Sequence, residues 1–72
     1  MTGEELKDAL IKECPIMYKN VFGDETEYKC VTAIIYRALK GRVFIEVEIM
    51  HGLGYKVTCD PAQIRRKGAN DL

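Results

Sequence analysis

Two runs of β-forming residues meeting at a glycine-bearing turn, between Thr26 and Met50, constrain this chain more than anything else in it. Arg42–Met50 alternates without a break, with Val43, Ile45, Val47 and Ile49 expected inward and Phe44, Glu46, Glu48 and Met50 outward. The preceding run, Thr26 to Arg37, places Tyr28, Cys30, Thr32, Ile34 and Tyr36 on one face and Lys29, Val31, Ala33, Ile35 and Arg37 on the other. Both of its faces carry apolar side chains, as in a strand covered on two sides where a sheet bends around a barrel. Ala38-Leu39-Lys40-Gly41 joins the two runs as a short hairpin connection with its glycine late.

The rest of the chain is arranged around that hairpin. Thr2-Gly3-Glu4-Glu5 has capping-box spacing, and Leu6, Ala9 and Leu10 recur at i, i+3 and i+4, so a helix is expected over residues 3–13. Cys14-Pro15 ends it, because the residue before proline is pushed out of the α region. A helix this short is marginal alone and must dock its stripe on something. Ile16-Met17-Tyr18 reads as a short strand, residues 19–25 as a polar loop, and Tyr55, Val57 and Cys59 as the inward set of a further strand. Asp60-Pro61-Ala62-Gln63 reads as one helical turn with an aspartate cap, returning Ile64 to the core. Residues 67–72 are expected to form a flexible tail.

Seventy-two residues make one domain, with 47% apolar and 31% charged residues in ordinary globular proportion. Eleven basic and eleven acidic residues cancel, which removes the global field that gathers nucleic acid or anionic membrane onto a basic protein. The distribution is uneven: residues 1–27 carry a balance of −4 and residues 28–72 a balance of +4. Such a split fits internal complementarity between the helix and the sheet it covers, or else a basic binding face. Cys14, Cys30 and Cys59 are odd in number and have neither zinc nor redox spacing, so they read as reduced thiols in a cytoplasmic protein. No metal site, leader segment or membrane-spanning run is read from the chain.

The order of a Pro15–Tyr18 strand, an open 19–25 loop, two strands meeting at Lys40-Gly41 and a "VTCDPAQI" ending resembles a small SH3-like barrel of the broad Tudor and KOW type. The expected fold is therefore mostly β with one N-terminal α-helix, the barrel holding about five antiparallel strands over residues 15–66. The chain departs from peptide-binding SH3 domains: it has no tryptophan, residues 19–25 lack their acidic and aromatic run, and no tyrosine follows Asp60-Pro61. Proline-rich peptides are accordingly not the expected ligand.

Nothing in the chain has the spacing of a catalytic centre or a cofactor site. His51 stands alone beside Gly52 in a turn and reads as a solvated residue, while Glu46 and Glu48 read as an exposed face paired across strands with Lys29, Arg37 or Lys56. The expected role is a non-catalytic protein-interaction module of bacterial or phage type, binding a protein partner or a second copy. Its candidate interface is Phe44 and Met50, the Ile35 face, and Val21 and Phe22 of the 19–25 loop, the last two alternatively plugging the core. The other expectation is nucleic-acid binding through Lys29, Arg37, Lys40, Arg42, Lys56, Arg65, Arg66 and Lys67, with Tyr36 or Tyr55 stacking on bases.

Overall fold

The structure is a computed structural model, and it describes residues 1–68. The N-terminal capping box closes as its spacing requires. Thr2 accepts from the Glu5 amide at 3.2 Å, and the Glu5 carboxylate accepts from the Thr2 amide at 3.0 Å. Helix α1 (Gly3–Lys12) follows, burying Leu6 and Ala9 against the sheets with Leu10 partly covered beside them. It stops at Glu13, which takes a left-handed conformation (φ 51°) while its amide still donates to the Ala9 carbonyl at 3.0 Å.

Six strands follow: β1 (Ile16–Lys19), β2 (Glu25–Tyr28), β3 (Cys30–Leu39), β4 (Arg42–Met50), β5 (Lys56–Cys59) and β6 (Ile64–Arg66). They form two three-stranded antiparallel sheets, ordered β2-β1-β6 and β3-β4-β5. The β1–β2 connection is an Asx loop, in which Asn20 Oδ1 accepts from the Phe22 amide at 2.9 Å and the Asp24 amide at 3.1 Å. Between β5 and β6, Asp60 caps a 3-10 turn at Pro61–Gln63 by accepting from the Ala62 amide at 2.8 Å. The chain is mostly β with one N-terminal helix, as expected, but the ladders among the described residues do not close into a barrel.

Two departures from strict alternation reshape the long strand expected over residues 26–37. It divides at Lys29, so that β2 pairs with β1 and β3 pairs with β4 in the other sheet. A β-bulge then sets Thr32 and Ala33 against Glu48 alone, and the Thr32 hydroxyl donates to the Glu48 carboxylate at 2.7 Å. The extra residue shifts the phase: Val31 shares a face with Ile34 and Tyr36, not with Ala33 and Ile35.

Each described helix and strand contributes to one core, which joins Leu6 and Ala9 to Ile16, Tyr28, Val31, Val47, Ile49, Cys59 and Ile64. Cys30 is also buried but lies outside that cluster. The uneven charge is largely internal complementarity. Asp8 of α1 bonds Arg66, and on β2 Glu25 meets Arg65 at 2.9 Å and Glu27 meets Lys67. Lys67 also donates its amide to the Pro15 carbonyl at 3.3 Å, and residues 69–72 of the expected tail lie outside the described residues.

Candidate interaction surface

The β3–β4 hairpin is longer than the core beneath it. Strand β5 pairs with β4 only from Val47 to Met50, so from Tyr36 to Ile45 the hairpin continues as a two-stranded ribbon. Its tip is a two-residue turn with positive φ at Lys40 (50°) and Gly41 (77°), the combination whose twist matches that of the strands. A free two-stranded ribbon is marginal in water, and this one is held by its rooted half.

The pairings Tyr36↔Ile45 and Ala38↔Val43 lie on the face that carries Ile34 and the buried Val47 further in. Here, however, the side chains are open to solvent: Tyr36 by 64%, Val43 by 68% and Ile45 by 38%. On the reverse face Leu39 (59%) and Phe44 (45%) are exposed, beside half-buried Ile35 and an Arg37–Glu46 ion pair at 2.9 Å. The ribbon is thus apolar on both sides, with Lys40 and Arg42 at its end. Val43 and Ile45, expected inside, are corrected to surface positions because the core does not reach them.

The expected interface residues fall in separate places. Phe44 lies on this ribbon and Ile35 at its base, whereas Met50 is half-buried at the far end of β4. Six residues separate Phe44 from Met50, roughly 20 Å along a strand, with Glu46 and Glu48 between them on the same face. The two do not make one patch. Val21 and Phe22 are fully presented at the tip of the β1–β2 loop in the other sheet, so they do not plug the core.

The basic residues are divided as well. Arg37, Arg65, Arg66 and Lys67 are engaged by Glu46, Glu25, Asp8 and Glu27. Lys40 and Arg42 sit at the hairpin tip, while Lys29 and Lys56 sit by Met50, roughly 27 Å away along β4. No single cationic track joins them.

A second feature was not visible in residue spacing. Tyr18 of β1, Tyr28 of β2, and His51 and Tyr55 of the β4–β5 turn come from three places in the sequence and meet at the end opposite the ribbon tip. Tyr28 stands edge-on to Tyr18 (centroids 5.6 Å apart) and to His51 (5.2 Å), and His51 stacks on Tyr55 at 4.5 Å. His51 Nδ1 accepts from the Leu53 amide at 3.1 Å, so this residue is a half-buried brace of the turn and not a freely solvated one. Burial, followed by the neighbouring Tyr55 hydroxyl, raises the Tyr28 pKa above its ordinary value. A shallow cleft of about 270 Å³ lined by Pro15, Glu27, Tyr28, Lys29, His51 and Gly52 adjoins the cluster. The rings close on one another, which leaves no open cage between them.

The three thiols differ in how far they are covered. Burial pushes Cys59 up to about 11, and the adjacent Asp60 charge adds to the shift, so the thiolate is scarce at neutral pH. Cys30 is buried and Cys14 half-buried, and all three are free. Among the described residues no helix is long and apolar enough to cross a membrane. Compared with protein families, with curated proteins and with solved structures, the chain matches none.

Proposed function

We propose that this chain is a small non-catalytic protein-interaction module whose working surface is the β3–β4 ribbon from Tyr36 to Ile45. The observation that carries this reading is the exposure of Tyr36, Leu39, Val43, Phe44 and Ile45 on both faces of one projecting element. Single exposed apolar residues are commonplace, but a contiguous group of them marks a binding surface. Two packed three-stranded sheets with a 3-10 turn before the last strand support an open form of the SH3-like arrangement. Three free cysteines fit a reducing, cytoplasmic setting. The split basic residues favour protein over nucleic acid, since phosphate binding draws on a continuous cationic track.

Photocrosslinking tests this. A photoreactive residue in place of Val43 is expected to yield protein adducts, to its own chain or another, that persist after nuclease treatment. The same residue in place of Lys7, on the exposed side of α1, is expected to yield few. Nuclease-sensitive adducts from Val43, or equal labelling from both positions, would overturn the reading.

A further inference from the structure

The sheet edges differ in how they are protected. Unpaired edges invite another strand, and proteins blunt them with charge, proline, bulges or brevity. Strand β2 has four residues and carries Glu25 and Glu27; β6 has three and carries Arg65 and Arg66; β5 has four and begins at Lys56. Beyond β5, strand β4 opens its outer edge from Arg42 to Glu46, five residues bounded by a charge at each end; the longest and least charged open edge is that of β3. Strand β3 has ten residues at the end of its sheet, and beyond the bulge it runs as Ala33-Ile34-Ile35-Tyr36-Arg37-Ala38-Leu39 without proline or glycine. Its one charge, Arg37, is matched by Glu46 of its own hairpin.

We propose that a second copy of this chain covers the ribbon, the two β3 strands pairing antiparallel about a two-fold axis at Tyr36. This rests on the ribbon being the interaction surface. The turn geometry supplies the register. With Lys40-Gly41 as a two-residue turn, Leu39 and Arg42 form a hydrogen-bonded pair, so Ile34, Tyr36 and Ala38 direct their backbone groups away from β4. Those groups form the free edge. Tyr36 is the midpoint of the unbroken stretch 33–39, so an axis there pairs all seven residues and keeps the Thr32 bulge outside. Tyr36 then faces its own copy, Ile34 faces Ala38 and Ile35 faces Arg37. An axis at Arg37 would instead oppose two guanidinium groups.

Edge pairing brings the partner against Tyr36 and Leu39, the exposed large apolar residues of β3, whereas Val43, Phe44 and Ile45 lie on β4, one strand farther in. With Ile34, Ile35, Ala38 and the seven-residue backbone edge, Tyr36 and Leu39 make a small interface, of the size that gives a reversible dimer and not a permanent one. The pairing joins the two β3-β4-β5 sheets into one of six strands and lays each ribbon beside the root of the other.

Sedimentation of the full chain over a range of concentrations, together with a cysteine scan in a Cys14→Ser background, tests the proposal. The expected result is a reversible dimer, weakened at least about tenfold by Ala38→Pro, which removes two edge hydrogen bonds at once by symmetry. Tyr36→Cys should form an intermolecular disulfide under mild oxidation, since directly opposed residues lie within bridging distance, and Ile34→Cys should not. A chain that stays monomeric at all concentrations, or cross-links equally from both positions, would overturn the dimer. Foreign-protein adducts from Val43 would in that case leave the broader reading standing. If Ala38→Pro loses its far-ultraviolet circular dichroism, the cysteine pair alone decides.

Discussion

The two halves of the β3–β4 hairpin have the same kind of sequence and opposite fates. Val47 and Ile49 are wholly buried, while Val43 and Ile45, continuing the same alternation on the same face, are 68% and 38% exposed. Alternation says which residues share a face. It does not say whether anything covers that face. At the root, α1 and the other sheet bring Leu6, Ala9, Ile16 and Ile64 into one core with this sheet, and β5 flanks β4; toward the tip none of the described residues covers the hairpin. The root therefore holds the fold, and the ribbon is left open to solvent.

The contrast breaks most directly by substitution. Ile49→Ala should destabilise the fold by about 2–5 kcal/mol in urea unfolding, because it opens a cavity in the common core. Ile45→Ala should cost less than about 1 kcal/mol under the same conditions, since its side chain is already partly in water. Equal losses would mean that the ribbon belongs to the cooperative core.

Acidification sharpens the comparison with a smaller effect. Hydrogen bonding to Arg66, and then to Lys12, holds the Asp8 carboxyl below its ordinary 3.8. A carboxylate depressed in the folded state contributes stability that is complete above the unfolded value and disappears as pH falls through the folded one. Below about pH 4, stability should decline modestly as α1 loosens from β6. Asp8→Asn should flatten that decline without altering association through the ribbon, which carries no part of this ion pair. An unchanged slope in Asp8→Asn would remove Asp8 from the clamp.

Local chemistry was readable from the residues. The Thr2–Glu5 box, the Lys40-Gly41 turn, the Asp60 cap and the return of Ile64 all follow from contacts between near neighbours in sequence. The complementarity of acidic N-terminal and basic C-terminal residues was readable too, though not the pairing of Asp8 with Arg66 across the fold. The division at Lys29 and the bulge at Thr32 were hidden, because neither site has the glycine or proline that announces an interruption. The aromatic cluster was hidden for another reason: β1, β2 and the β4–β5 turn meet only after both sheets have formed. Phe44 was identified as exposed, but Tyr36, Leu39, Val43 and Ile45 were missed as partners. The signal for them was present in a strand apolar on both faces within a chain too short to cover both.

Amide hydrogen exchange along β3 and β4, followed from dilute to concentrated protein, most directly tests the division of the hairpin. Amides at the root, around Val47 and Ile49, should be protected at every concentration, and those from Tyr36 to Ile45 should exchange rapidly when dilute and slow as association proceeds. A ribbon as strongly protected as the root in the dilute monomer, with no further change on concentration, would contradict it.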